Sequence, residues 1–385
     1  MNPIALRIAV VGAGPVGLAL ALQAARALPQ AQVCVFDARP PERDIAADPR
    51  TIALSLGSVL LLRRLMTMPP AQPIFEVHVS QQTSSFGRPA VRISAEEEGV
   101  TQLGAVLSYG ALVAPLQQAW QAAVAAEPAR LRLCLGAPVA ALKPGPQGVE
   151  VDAGVAETFD LAVVAEGGLF GAQLRKPLRR DYGQTAWVGG VTLEGAAPGL
   201  AIERFTAHGP VALLPLAPGR AALVWCVASA DDPVPGLDEG GRLALLASIF
   251  PPEAGRLTGL SALAPFALGL NAERSLVAGR SVRIGNAAQT LHPVAGQGLN
   301  LGLRDAYELV AALRRPGDLD AALRRVEWSR ASDRWSVIAT TDFLARSFTW
   351  RGPAFAAARG LGLAALQALP PARHWLARQM MFGRR

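Results

Sequence analysis

The sequence contains few of the residues that bind metals or form disulfide networks. Only three cysteines and four histidines occur in 385 residues. Cys34, Cys134 and Cys226 stand about a hundred residues apart, and no pair has the short spacing of a zinc site. An odd and sparse set also argues against a disulfide framework. We therefore expect no metal site, reduced thiols and a cytoplasmic location.

Lysine is also scarce, since Lys143 and Lys176 are the only two. Arginine supplies the rest of the positive charge, and the formal net charge is +7. The arginines do not form one basic stripe with interleaved aromatics, so we expect no nucleic-acid partner. A diffuse positive field suits an anionic membrane surface better. Residues 373–385 mix bulky apolar with basic side chains, which fits either a membrane-interface segment or a helix packed on its own domain.

Long hydrophobic runs are limited to residues 8–25. Three glycines and Pro15 interrupt this run, which fits neither a membrane span nor a signal peptide. The β-branched residues 7–11, the apolar residues 15–28 and the short run 33–36 instead predict a strand, a helix and a second strand. This arrangement is typical of the first unit of a parallel α/β sheet.

A glycine pattern lies where the first predicted strand ends. Gly12, Gly14 and Gly17 form G-x-G-x-x-G, which is weak alone because glycine is about a tenth of the chain. Its position between a strand and a helix, with Asp37 at the end of the next strand, strengthens it. Such a turn lets a pyrophosphate approach the backbone, the helix N-terminus offers N–H donors, and the carboxylate binds a ribose. The alternative is a glycine-rich turn in an ordinary α/β domain.

A second cluster of small and amide residues lies far along the chain, in residues 283–300. Two of the four asparagines, Asn286 and Asn300, occur here. Gly296, Gly298 and Asn300 stand at the start of a predicted helix, where N–H groups can bind an anion or an electron-rich carbonyl. The alternative is a loop with helix caps.

Residues 285–305 resemble the C-terminal flavin motif of the aromatic-hydroxylase flavoproteins, the para-hydroxybenzoate hydroxylase type. They look most like the ubiquinone-biosynthesis hydroxylases that act on polyprenylated phenols (2-polyprenyl-6-methoxyphenol hydroxylase type). Further similar segments follow in the family's order and extend the resemblance over nearly the whole chain: residues 48–54, 203–206, 213–216 and 224–226. These motifs in order are more specific than either glycine pattern.

The resemblance implies FAD as the cofactor and assigns roles to residues on both sides of the flavin. The ADP half would be held by Gly12, Gly14, Gly17 and Asp37, with Arg50 supporting the cofactor. The flavin half would contact Gly296, Gln297, Gly298 and Asn300, with His292 and Pro293 over the ring near the substrate as the catalytic pair.

Two positions depart from the family's pattern. Asn286, which would contact the ribityl chain and pyrophosphate region of FAD, stands where many members carry Asp. An amide keeps the hydrogen bonding while it loses the charge, and the ubiquinone branch commonly tolerates Asn there. Glu166, followed by Gly167, replaces the Asp of a turn that the family associates with FAD and nicotinamide binding. The longer carboxylate raises the question of how NAD(P)H, the transient electron donor, reduces this protein.

The implied fold class is α/β, with a Rossmann-like FAD-binding domain, an inserted and mainly antiparallel β-sheet substrate domain, and a helical C-terminus. We assign residues 1–70, 95–183 and 267–318 to the FAD-binding domain. Residues 71–94 and 184–266 form the predicted substrate domain. Residues 319–385 form the predicted C-terminal helical region.

The implied activity is that of an FAD-dependent aromatic-ring monooxygenase. It would hydroxylate a polyprenylated phenol in ubiquinone biosynthesis with NAD(P)H and O2, through a flavin C4a-hydroperoxide. Two alternatives stay open: a hydroxylase of a small soluble aromatic acid, and a flavin-binding subunit of a biosynthetic complex without hydroxylase activity. Expected partners are the inner-membrane surface and other ubiquinone-biosynthesis proteins, and a homo-oligomer is also open.

Overall fold

Two large β-sheets and the helices that cover them form the structure, a computed structural model. It describes residues 6–82, 90–146, 148–167, 176–347, 350 and 352–383. Part of the predicted 71–94 segment, residues 83–89, therefore lies outside the described residues. The same holds for Arg384 and Arg385 at the end of the predicted 373–385 segment.

The described residues form 21 strands and eight α-helices. The strands are β1 (Arg7–Val11), β2 (Gln32–Asp37), β3 (Thr51–Ser55), β4 (Gln72–Ile74), β5 (Glu76–Gln81), β6 (Ala90–Ser94), β7 (Gly104–Ser108), β8 (Leu131–Leu135), β9 (Ala141–Gly145), β10 (Gly148–Asp152), β11 (Ala156–Phe159), β12 (Leu161–Val164), β13 (Leu178–Glu194), β14 (Leu200–Phe205), β15 (Pro210–Ala217), β16 (Arg220–Ala228), β17 (Arg256–Leu260), β18 (Ala264–Ala272), β19 (Val277–Ala278), β20 (Ser281–Arg283) and β21 (Gln289–Thr290). The helices are α1 (Pro15–Ala27), α2 (Leu56–Arg63), α3 (Tyr109–Ala126), α4 (Glu239–Ile249), α5 (Gln297–Leu313), α6 (Leu319–Ser347), α7 (Pro353–Ala368) and α8 (Pro370–Phe382).

The first sheet is a six-stranded Rossmann-type sheet with the order β19-β20-β12-β1-β2-β8. All of its pairs are parallel except β19 with β20. Residues 8–11 of β1 are buried on both faces, as a central parallel strand covered by helices requires. The carboxyl ends of β1, β2, β12 and β20 therefore lie along one edge.

The second sheet has nine strands and contains pieces of both predicted substrate segments. Its order is β21-β18-β13-β16-β15-β14-β5-β6, with β17 paired to β13. The pairs are antiparallel except β5 with β14. The mixed α/β fold with an antiparallel sheet and a helical C-terminus is confirmed. The domain boundaries stay a prediction, since β13 already begins at Leu178 and β18 runs to Ala272.

One face of the nine-stranded sheet is covered by α4, which lies inside a block that the sequence predicts as strands. Asp238 caps this helix by accepting a hydrogen bond from the N–H of Gly241 at 2.7 Å. Leu246 and Ile249 pack from α4 onto Leu223 and Trp225 of the sheet. The β-rich surroundings hid a short amphipathic helix whose start is set by one capping side chain.

Two of the cysteines meet in space although their sequence spacing suggests no pairing. Parallel strands β2 and β8 are neighbours, and this brings the sulfur atoms of Cys34 and Cys134 to 3.7 Å. Both are free thiols. The hydrogen bond to Cys134, together with burial, raises the pKa of Cys34, whereas the same hydrogen bond lowers the pKa of Cys134 to about 6.

A buried ionic network joins α5 to α6. Asp305 is fully buried, and its carboxylate accepts hydrogen bonds from Arg330 Nε at 2.7 Å and Gln289 Nε2 at 3.1 Å. Arg330 also pairs with Asp333 at 2.8 Å, and Arg334 donates to Gln289 Oε1 at 2.7 Å. Each charge thus has a partner of opposite charge or a hydrogen bond, as burial demands.

Removal of one charge from this network should destabilise the fold. Asp305→Asn leaves Arg330 buried with one carboxylate fewer, so we expect a loss of about 3 kcal/mol of unfolding free energy. The matched control is Asp320→Asn, which removes the partner of Arg280 in a solvent-exposed pair and should cost less than about 1 kcal/mol. Urea unfolding of both variants checks this, and equal losses would contradict a dominant role of the buried network.

Candidate active site

Loops that follow four neighbouring strands meet at the carboxyl edge of the six-stranded sheet. The glycine turn follows β1, Asp37 ends β2, Glu166 follows β12, and the Gly285–Ala287 turn follows β20. In open α/β sheets this edge is where ligands bind. The fold therefore places residues from both sequence motifs along one edge, although more than 240 residues separate them.

The glycine turn is packed too tightly for side chains. Gly12 has φ of +109° and donates its N–H to the carbonyl of Phe36 at 2.7 Å. A Cβ there would lie 2.9 Å from the carbonyl oxygen of Ala165. A Cβ on Gly17 would overlap the carbonyl oxygen of Gly12. The turn can follow its path between β1 and α1 only with glycine at both positions.

Asp37 bridges the glycine turn and the end of β2. Its carboxylate accepts hydrogen bonds from the N–H of Ala13 at 2.5 Å and from the N–H of Arg39 at 2.8 Å. The side chain is half-buried. The carboxylate thus fixes the turn and stands at the place where an adenosine ribose is expected.

Arg50 reaches the glycine turn through Tyr109, a residue that the sequence did not single out. The guanidinium stacks on the Tyr109 ring, 4.2 Å from its centroid, and pairs with Asp48 at 2.8 Å. The Tyr109 hydroxyl would lie 3.2 Å from a Cβ placed on Gly14. A Tyr at the start of α3 has no pattern of its own, so only the fold reveals this role.

Glu166 and Lys176 add opposite charges to the edge. Desolvation and the nearby Asp37 raise the pKa of Glu166, and burial lowers the pKa of Lys176. The Lys176 ammonium donates to the carbonyl of Asn286 at 3.0 Å. Lys176 was not predicted as a site residue, because a lone lysine in a polar stretch carries no signal.

The start of α5 is held by the side chain of Asn300. Its Oδ1 accepts from the N–H of Ser55 at 2.8 Å, and its Nδ2 donates to the carbonyls of Ala53 and Gly296 at 3.2 and 2.9 Å. Gly296 caps the helix with φ of +58°, and Gln297 is largely buried. Asn300 therefore positions the helix start, while its predicted flavin contact stays a prediction.

His292 is buried with both ring nitrogens bonded to protein. Nδ1 accepts from the N–H of Val294 at 3.2 Å, and Nε2 lies 3.0 Å from Gln184 Oε1. The first bond requires an unprotonated Nδ1, so Nε2 carries the hydrogen and donates to Gln184. Tyr182 packs edge-on against the ring at 5.5 Å. Burial lowers the pKa of His292 to about 4, whereas the neighbouring Pro293 is exposed.

The two motifs touch through small residues. A Cβ on Gly302 would lie 2.8 Å from Gly285 Cα and 2.9 Å from Val16 Cγ2. The second turn of α5 thus contacts both the turn after β20 and the first turn of α1. Gly302 was not predicted, and its only sequence signal is a glycine inside an otherwise regular helix.

The residues of this edge fit FAD. The first turn of α1 presents N–H groups for phosphates, and Asp37 is an acceptor for a ribose. A Cβ on Gly167 or Gly298 would meet no atom within 4 Å, so the backbone there is open to a ligand. Within the part of the chain that the structure describes, no three His, Cys, Asp or Glu residues cluster as a metal site would need.

Comparisons with known proteins agree with this site. Residues 256–318 match the family described as FAD binding domain. The ubiquinone hydroxylase UbiL of Rhodospirillum rubrum is 33% identical over 97% of this chain and 89% of its own length. The 3-demethoxyubiquinol 3-hydroxylase of Escherichia coli is 30% identical over 94% of both chains.

The chain belongs to the ubiquinone hydroxylase family of FAD-dependent monooxygenases. The resemblance that its motifs carry is thereby confirmed, and so is FAD as its cofactor. Klebsiella pneumoniae HpxO, solved with FAD and uric acid, has the same fold. Its TM-score is 0.72 at 19% identity, over 99% of this chain and 97% of the other.

The hydroxylase buries a neutral histidine, and this should make its stability depend on pH. Unfolded histidine protonates below about pH 6.5, whereas folded His292 stays neutral down to about pH 4. Acid therefore favours the unfolded state. Because of His292, the free energy of unfolding should fall by about 2 kcal/mol when the pH is lowered from 7 to 5.

Urea unfolding of His292→Asn at both pH values measures this contribution. The variant should lose less stability on acidification than the unsubstituted protein, by about 2 kcal/mol. Parallel losses in the two proteins would show that His292 titrates normally in the folded state.

Proposed function

We propose that this enzyme hydroxylates the aromatic ring of a polyprenylated phenol in ubiquinone biosynthesis, with NAD(P)H and O2 as co-substrates. The full-length similarity to two proteins named as hydroxylases of ubiquinone or its precursors supports the pathway. The bound FAD supplies the oxygen chemistry, and the protein supplies orientation, exclusion of water and electrostatics.

The apolar sheet face beside His292 is the observation that carries the substrate class. Gln184, the hydrogen-bond partner of His292, begins a row of small apolar residues that continues across three strands. Register pairs Ala186 with Cys226, and Val188 with Val224, which in turn pairs with Ala212. Residues 184–190, 210–217 and 221–228 contain no charged side chain. Such a face can hold a hydrocarbon tail next to the ring that reacts.

An acidic residue, Glu203, lies on the described part of this face. Glu203 pairs with Ala212 in register, and burial, with a smaller contribution from Glu203, raises the pKa of Cys226. A hydroxylase of small aromatic acids needs a cation that binds the carboxylate, and residues 184–190, 210–217 and 221–228 supply none. This arrangement favours a neutral phenol over a small aromatic acid.

We propose that the enzyme works at the inner-membrane surface, near other proteins of the same pathway. In the described ranges, no helix is both long enough and apolar enough to cross a bilayer. A polyprenylated substrate partitions into lipid, so contact with the surface shortens its route to the sheet face.

Turnover of a prenylated phenol tests this function. The purified FAD-loaded enzyme should consume NADH or NADPH in proportion to a product that has gained one oxygen atom, measured by mass spectrometry. Hydroxybenzoates, which lack the prenyl tail and carry a carboxylate, are the control and should not stimulate oxidation.

Two results would overturn the proposal, and they separate the alternatives. Coupled oxidation with hydroxybenzoates alone would identify a hydroxylase of small acids. Tight FAD binding without NAD(P)H oxidation coupled to any phenol would identify a flavin-binding subunit. Glu166→Asp would then be the first variant to test, because it restores the residue of the family's pattern.

A further inference from the structure

The outward face of α7 is apolar although solvent reaches it. Phe355 and Leu361 of the helix are 48% and 53% exposed, and Leu369, which follows it, is 55% exposed. Arg359 is the single charged residue of the helix. Its guanidinium donates to the carbonyls of Ser347 and Trp350, so it caps the end of α6. A contiguous apolar helix face that stays exposed to solvent usually marks a binding surface.

The inward face of α7 is firmly packed. Leu363 and Leu366 pack against the core that includes Val91 and Ile93 of β6. Gln81 Nε2 donates to the carbonyl of Ala356 at 3.1 Å, and Gln367 Oε1 accepts from the N–H of Arg92 at 3.0 Å. The helix is thus a fixed element, and its exposed apolar face is a permanent surface.

An aromatic cluster continues this face towards α6. Trp350 packs edge-on against Phe343 at 6.2 Å and against Phe355 at 5.4 Å, and all three rings are exposed. Trp375 on α8 is exposed as well. Tryptophan concentrates at membrane–water interfaces because its amphipathic ring suits the headgroup region, and phenylalanine and leucine are typical of the apolar face of interfacial helices.

The stretch of the chain that contains this surface is basic in sequence. Residues 343–385 contain seven arginines and no aspartate or glutamate, so this stretch alone accounts for the formal net charge of +7. Arg346 and Arg373 pair with Asp342 and Glu97, which lie outside the stretch. A chain segment that combines net positive charge with an exposed apolar helix face suits an anionic bilayer.

The surface lies beside the substrate site. Leu344, one residue after the aromatic Phe343, packs with Val294 and Phe205. Gln184, which bonds His292, also donates to the carbonyl of Ala345 at 3.5 Å. The end of α6 therefore connects the aromatic cluster to the loop that contains His292 and Val294.

We propose that the outward face of α7, with the cluster of Phe343, Trp350 and Phe355, docks on an anionic lipid bilayer. Docking brings the loop after His292 to the surface from which a prenylated phenol enters, so the inference extends the proposed function. The tail of residues 373–385 is a poorer candidate. In α8, Arg373, Ala377 and Met381 are buried, so much of this helix packs on its own domain.

Co-sedimentation of the FAD-loaded, full-length enzyme with vesicles tests this surface. The double variant Phe355→Ser and Leu361→Ser should bind vesicles of phosphatidylcholine with phosphatidylglycerol roughly tenfold more weakly than the unsubstituted enzyme. The control is Val155→Ser, which removes an exposed apolar side chain from the turn between β10 and β11 and should leave binding unchanged. Retained flavin absorbance shows that the variants are folded.

Three outcomes would overturn the proposal. One is equal vesicle binding by the double variant and the unsubstituted enzyme. Another is equal binding to vesicles of phosphatidylcholine alone, which would exclude charge complementarity. The third is a dimer in analytical ultracentrifugation that the double variant converts to a monomer, which would assign the face to a second copy of the chain.

A failure of bilayer docking and a failure of the proposed hydroxylation give different experimental results. A water-soluble phenol with a short prenyl chain needs no bilayer, so the double variant should turn it over at the unsubstituted rate. If neither protein hydroxylates this phenol, the proposed function fails while the vesicle result still stands.

Discussion

The contact among Val16, Gly285 and Gly302 is the constraint on which the rest of the site depends. It leaves no room for a side chain at Gly302, since a Cβ there would lie 2.8 Å from Gly285 Cα. Because α5 and α1 approach so closely, the glycine turn after β1 and the amide-rich segment before α5 share one edge of the sheet. The contact therefore brings both predicted FAD-binding stretches to one edge, where we propose that they form one FAD site.

The same helix connects this site to the rest of the molecule. Asp305 on α5 holds Arg330 of α6 in a buried network, and the far end of α6 packs against the loop that contains His292 and Val294. Cofactor site, substrate face and the outward face of α7 are therefore linked through two helices. This linkage is consistent with the proposed entry of a prenylated substrate from the α7 side.

The local patterns of the sequence were sufficient for the first strand–turn–helix–strand unit, whereas the fold class was implied by the family resemblance. Residues 7–11 were expected as a strand and form β1, and Asp37 was expected at the end of the next strand, where it lies. These features depend on neighbours in sequence. Periodicity cannot reveal contacts between residues that lie at least 59 positions apart in the sequence. Three such contacts are the stacking of Arg50 on Tyr109, the hydrogen bond from Ser55 to Asn300 and the approach of Cys34 to Cys134. The short helix α4 was missed because one capping residue decides it.

Titration of the apoprotein with FAD, followed by flavin fluorescence, tests most directly whether both motifs form one site. The two informative variants come from opposite ends of the chain: Asp37→Ala and Gly302→Ala. We predict one FAD per chain and a roughly tenfold or greater loss of affinity in each variant, since an added methyl at Gly302 forces α5 away from Gly285. Gly362→Ala, where an added Cβ meets open space, should bind FAD normally. Unchanged affinity in Gly302→Ala would contradict the account, because the C-terminal motif would then not depend on this contact.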